Sequence, residues 1–181
     1  MINPISQSNT KTSIFYINDY HGKSLNMERT VTAANAFDSR NKNKSDTDTL
    51  KLSSGDIMIG EDYKTNELAI LFQNYIGIKD SAIGNHEYDM QDKIKSVLPL
   101  TKYNLLASNV HIAPNSAWFN TVKPATVEVC NGNKYGIIGT SPIDLYKRSK
   151  VGVIQKLIKL RKQFKISRRK PISFKNKELT K

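Results

Sequence analysis

The chain has 181 residues, 38% of them hydrophobic and 24% charged, with a mean hydropathy of −0.49. That is enough for one ordinary domain with a real core, or for a piece of a larger one, and no run approaches the roughly 18 apolar residues of a membrane span. The net charge of +12 points to a nucleic-acid partner until it is located: positions 1–144 carry 14 basic and 15 acidic residues, whereas positions 145–181 carry 14 basic residues and one acid, Glu178. The body is therefore nearly neutral, and the basicity belongs to the tail. A single cysteine, Cys130, excludes an internal disulfide framework; with Val129 and Asn131 beside it, the residue reads as an inert thiol. Met1 to Thr12 is polar and shows no secretory leader, which gives a cytoplasmic expectation.

Thr12 to Ile17 is β-branched and aromatic and predicts a buried strand ending at Asn18-Asp19. Between Leu25 and Phe37, the apolar positions Val31, Ala34 and Phe37 fall at helical spacing. Asn41 to Asp48 is polar and predicts a loop. Thr49 to Leu52 makes a short strand that stops at Ser53-Ser54-Gly55-Asp56. Glu67 to Tyr75 predicts a helix with Leu68, Leu71, Phe72 and Tyr75 on one face and Gly77 as terminator. Ser81 to Ile83 is a brief strand leading into Gly84-Asn85-His86, and Asp89 to Leu98 predicts a helix closed by Pro99. Leu105 to Ser108 is another strand. Thr126 to Val129 and Tyr135 to Ile138 flank Asn131-Gly132, a strong hairpin signal. Strands alternate with helices and carry loops at their ends, which indicates a layered α/β domain with a mixed sheet.

Three clusters carry the chemistry: Asp19-Tyr20-His21-Gly22, Gly55-Asp56 and Gly84-Asn85-His86-Glu87-Tyr88-Asp89. A dinuclear centre needs donors converging on two cations roughly 3.5–4 Å apart, with a carboxylate able to bridge them. Asp19 and His21, two apart at a strand end, would point the same way and grip one ion. Asp56 follows a glycine that permits a tight turn, which suits a bridging carboxylate. Asn85 offers a neutral oxygen to a hard or borderline cation. His86 would face substrate, with Asp89 three residues on to hold its ring as general acid or electrophile. Each dipeptide is common alone; the ordered set, each after a short apolar strand, is not.

The order and wording of these motifs resemble the calcineurin-like metallophosphoesterase superfamily, in particular its 5′-nucleotidase/UDP-sugar hydrolase branch. Ala107-Ser108-Asn109-Val110 and Tyr135-Gly136-Ile137-Ile138-Gly139 are similar to later strands of that branch, so the likeness spans roughly residues 12–146. It implies a layered β-sandwich of mixed sheets flanked by helices, here incomplete. Asp19 and His21 would bind the first of two divalent ions (zinc, manganese or similar), Asp56 would bridge and Asn85 would bind the second. His86 with Asp89 would form the catalytic pair. The implied reaction is attack of metal-bound hydroxide on the phosphorus of a nucleotide-like phosphoester.

The family completes its site with a later Gly-His and a Gly-His-x-His, and this sequence has neither. His111 follows Asn109-Val110 without a preceding glycine and reads as an ordinary surface or strand-end residue. The resemblance therefore implies the N-terminal part of a catalytic domain, residues 1–146, with weak or no hydrolysis on its own and an apolar sheet face left open to water. Residues 147–181 form the basic tail. Val151, Ile154, Leu157, Ile158 and Phe164 would line one face of an amphipathic helix ended by Arg168-Arg169-Lys170-Pro171. The tail reads either as an arm for nucleic acid or acidic membrane, which is also the non-enzymatic alternative for the whole chain, or as frameshifted text starting near residues 147–152. The abrupt charge change where the resemblance fades favours the frameshift.

Overall fold

Lys11–Ile17 forms strand β1, and Thr47–Ser53 forms β2 beside it in parallel, with Ile17 opposite Ser53. Parallel neighbours need a crossover; here it is helix α1, Met27–Asn41, entered through a 3-10 turn at Ser24–Asn26. The computed structural model describes residues 10–149 and the backbone of 158–160. Side chains alternate across β1, so Phe15 meets Phe37 of α1 at 5.6 Å between ring centroids, while Ile14 and Tyr16 face away and are exposed. The sheet continues with β3, Asp80–Ala82, then β4, Asn104–Leu106, and β6, Val122–Lys123, all parallel in the order β1-β2-β3-β4-β6. The expected α/β layering is present. Among the described residues, antiparallel pairing lies in two separate two-stranded sheets rather than in the main one.

Helix α2, Tyr63–Ile76, begins four residues before the predicted start because Asp62 caps it, accepting from Lys64 N at 3.0 Å and Thr65 Oγ1 at 2.7 Å. Gly77 ends it in the left-handed conformation, as expected. The predicted apolar face is corrected. Leu68, Leu71 and Tyr75 point outward, and the buried side consists of Asn66, Ala69, Ile70, Phe72, Gln73 and Ile76. Two of these core-facing residues are polar, which hides the face from an apolar count. Asn66 Oδ1 accepts from Ile59 N at 2.8 Å, and Gln73 donates to the Tyr103 hydroxyl at 2.8 Å.

The stretch predicted as one helix from Asp89 is three short pieces: a 3-10 helix over His86–Lys93, helix α3 over Ile94–Val97, and a 3-10 turn over Leu98–Leu100 that contains Pro99 instead of stopping before it. Met90, Ile94, Val97 and Trp118 are buried here with Ile70 and Ile83, and Trp118 packs on Tyr88 at 5.4 Å. Strand β5, Val110–Ile112, pairs antiparallel with β9, Ile158–Leu160, after the short helix α4, Leu145–Arg148. Ile158 is thus in a strand, not on a helix face: its backbone joins a ladder with β5, which suits a β-branched residue. Val151, Ile154, Leu157, Phe164 and the run 168–171 lie outside the described residues.

The polar loop expected up to Asp48 is also shorter. Helix α1 runs on to Asn41, and β2 starts at Thr47. Asp48 is buried in the strand because the hairpin formed by β7, Ala125–Cys130, and β8, Asn133–Ile138, satisfies it. Tyr135 donates its hydroxyl at 2.6 Å, Asn133 Nδ2 at 2.7 Å and Asn131 Nδ2 at 2.8 Å. The turn residues Asn131 and Gly132 both have positive φ, 48° and 84°, as a two-residue hairpin requires. The bond from Tyr135, with Asn133 and Asn131 adding to it, outweighs burial and holds the Asp48 carboxyl below its usual range.

Replacing Asp48 by Ala is expected to leave the main sheet folded but to accelerate amide exchange across residues 125–138 relative to β3 and β4, read by hydrogen-exchange mass spectrometry. In the wild type, the folded Asp48 value lies below the unfolded one of ~3.9. Its contribution is therefore complete above that value and is lost as pH falls through the folded one. Hairpin opening already at about pH 5–7 would contradict this assignment.

Candidate metal centre

Beyond Ile17, Ser53 and Ala82, the chain leaves β1, β2 and β3 at the same edge of the sheet, where open α/β folds place their ligands. The first two loops stay zipped together by backbone bonds: Ser54 N to Ile17 O at 2.9 Å, Asp19 N to Gly55 O at 3.0 Å and His21 N to Asp56 O at 3.1 Å. They do so in an unusual conformation. Asp19, His21 and Asp56 have φ of 61°, 49° and 53°, and the one other non-glycine residue like them among those described is Asn131 in the hairpin turn. Side chains in this region cost of order 1–3 kcal/mol each, and such positions cluster at functional sites.

The same three residues converge. One ligand atom from each of Asp19, His21 and Asp56 lies within 4.8 Å of the others. Asp19 and His21 meet, as the two-residue spacing suggested, but the cause differs: both lie past the strand, and left-handed turns bring them together rather than strand alternation. His21 Nε2 is 2.8 Å from Asp19 Oδ1 without hydrogen-bond geometry, so the nitrogen is buried beside the carboxylate with no hydrogen-bond partner. Two carboxylate oxygens and a bare imidazole nitrogen form a donor set that fits a borderline or hard divalent cation.

The third loop closes over this cluster. His86 N donates to Asp56 Oδ1 at 3.0 Å, and the His86 ring meets that of His21 edge-on at 4.4 Å. His86 Nδ1 and Asp89 Oδ2 are 2.9 Å apart, which is the contact their spacing predicts. Asn85 is buried between Gly84 and His86, and its carbonyl accepts from Ser149 Oγ at 3.1 Å and Tyr88 N at 3.2 Å. Gly84 has to be glycine here, because a Cβ would fall on Asp56 Oδ1. His111 is exposed on β5 and does not belong to the cluster. Cys130 donates to Thr49 O at 3.3 Å, and burial pushes its thiol up.

Sequence reasoning gave no role to Glu87. Its carboxylate is 3% exposed and accepts four backbone N–H groups: Asp56 at 3.0 Å, Ile57 at 2.7 Å, Met58 at 3.2 Å and Gly84 at 2.8 Å. Burial first, then the Asp56 carboxylate, raises its pKa. Backbone partners have no residue-type signature, so the one sequence signal was an acid placed next to Tyr88 and Met90, both of which are core residues.

No protein-family model and no curated protein matches the chain. Solved structures do. It is similar to a 5′-nucleotidase precursor from Thermus thermophilus, with 21% identity and a TM-score of 0.63 over 76% of this chain and 30% of that one. An NAD nucleotidase from Haemophilus influenzae gives 24% identity and 0.61 over 72% and 26%. A calcineurin-like phosphoesterase from Bacillus subtilis gives 14% and 0.57 over 81% and 53%. The chain thus has the α/β fold of these phosphoesterases and spans under a third of the length of the two nucleotidases.

Gly84→Ala is expected to lower stability by about 1–3 kcal/mol, the usual cost of forced overpacking, with the Asp56 carboxylate displaced. Denaturant unfolding and the chemical shift of the His86 amide report the two effects; an unshifted amide would contradict the close approach.

Proposed function

We propose that the chain is a divalent-cation-dependent phosphoester hydrolase domain acting on nucleotide-like substrates. The observation that carries this reading is the convergence of Asp19, His21 and Asp56 within 4.8 Å, each with a left-handed backbone. The likeness to two nucleotidases supports the substrate class.

Asp19 and His21 would hold one ion, Asp56 would be shared, and Asn85 would supply a neutral oxygen to the second. These residues would hold two divalent ions, whose charge would lower the pKa of water and offset charge on a phosphoryl group. With Nδ1 held by Asp89, the His86 ring presents Nε2 to substrate. There it holds a proton for the leaving oxygen or hydrogen-bonds a phosphoryl oxygen as charge builds. Catalytic zinc sites ordinarily have three protein ligands per ion. Four named donors fall short of that for two ions, so a second ion would be held weakly by these residues and turnover would be slow.

Calorimetric titration with Mn(II) and with Zn(II), alongside phosphate release from a nucleoside 5′-monophosphate, tests the reading. One ion is expected to bind at micromolar Kd, weakened more than about tenfold in Asp56→Asn. Slow release is expected, abolished by chelator and by His86→Ala. Absence of both binding and release would refute the proposal; two tightly held ions with rapid turnover would refute its incomplete donor set.

A further inference from the structure

We infer that Glu87 is the positioning residue that sets the Asp56 carboxylate, an assignment that rests on the cation site proposed above. Its two oxygens divide the work. Oε2 accepts from Asp56 N at 3.0 Å and Gly84 N at 2.8 Å, so one atom ties the second loop to the third. Oε1 takes Ile57 N and Met58 N, which fixes the chain on the far side of Asp56. The tie is returned in the other direction, because Asp56 Oδ1 accepts from His86 N at 3.0 Å. Each loop's carboxylate is therefore held by the other loop's amides, the reciprocity that a capping box uses at a helix end.

The consequence falls on Asp56. Its φ of 53° is unfavourable for a side chain and persists only where the surroundings over-determine it. Three consecutive amides pinned to one buried carboxylate do that. A glutamine at 87 would not: an ionised carboxyl offers about four acceptor sites, whereas an amide offers two and turns its own N–H groups toward donors. Water cannot stand in, because Glu87 is 3% exposed and Tyr88 2%. Glu87 touches neither cation nor substrate in this reading, and acts through Asp56.

A double-mutant cycle on Mn(II) affinity, read by electron paramagnetic resonance, separates this from general destabilisation. E87Q is expected to weaken binding by ~10–100-fold, the range for a lost outer partner of a ligand. Adding D56N to E87Q is expected to cost less than about threefold more, because both changes remove one interaction. Wild-type affinity in E87Q, or effects that multiply, would overturn the assignment. Absence of Mn(II) binding by the wild type sinks the cation reading instead. In that case, or if E87Q does not fold, amide exchange of the metal-free wild type decides. The amides of Asp56, Ile57, Met58, Gly84 and His86 are expected to share one protection level within about tenfold, as one opening unit. Separate opening of the two loops would overturn the clasp.

Discussion

Parallel, level pairing of β1, β2 and β3 is the constraint from which the candidate site follows. Ile17 lies opposite Ser53, and Ser53 opposite Ser81, so three segments reach the same edge of the sheet within one residue of each other. Such strands cannot be joined by hairpins, and the crossovers that join them, α1 and α2, are anchored by Ala34 and Phe37 and by Ala69, Ile70, Phe72 and Ile76. Core packing on one face of the sheet thereby fixes which loops meet at its end. Past the last ladder bond, the backbone amides still need acceptors, and the loops after β1 and β2 find them in each other. Keeping those bonds while turning away from the sheet is what puts Asp19, His21 and Asp56 into the left-handed region.

What was legible in the sequence, and what was not, divides along one physical line. A β-branched and aromatic run located β1, the Asn131-Gly132 turn located the β7–β8 hairpin, and apolar periodicity located α2; β1 is nevertheless not the buried strand expected, because Ile14 and Tyr16 lie on its open face. Periodicity misassigned the buried face of α2, where Asn66 and Gln73 face the core on hydrogen bonds that no hydrophobic count detects. It shortened β2 for the same reason, since Asp48 is a strand residue supported by donors more than 80 positions away. The spacing of His86 and Asp89 was readable because one turn of chain suffices to make their contact. Glu87 was not, because its partners are amides of a different loop.

The two faces of the main sheet are treated unequally. One carries α1 and α2. The other meets the β7–β8 hairpin, which covers Asp48 and leaves Ile14 and Tyr16 of β1 exposed. Among the described strands β1 is also the edge of its sheet, and Val127, Val129 and Ile138 on the outer side of the hairpin are exposed as well. The hairpin is therefore held less by apolar burial than by polar bonds to Asp48, supplemented by those from the Thr12 hydroxyl to Tyr135 and from Cys130 to Thr49 O.

Placing an acid at the floor of the candidate cation site looks uneconomical, since Glu87 and Asp56 repel, and burial alone disfavours a charged Glu87. Four amide N–H groups aimed at one carboxylate oppose that penalty without cancelling it, and they come from the very segments whose spacing matters. An apolar residue at 87 would leave four buried N–H groups without acceptors, each at a cost of ~1–3 kcal/mol. Bulk water does not reach them, and an apolar side chain would neither accept from those N–H groups nor fix their mutual geometry. The carboxylate does both, so the two loops are brought to one spacing before any ligand arrives, and binding need not supply the ordering. In that sense the strain at Asp56 and the burial of Glu87 are one feature: the first aims a ligand atom, and the second keeps it aimed.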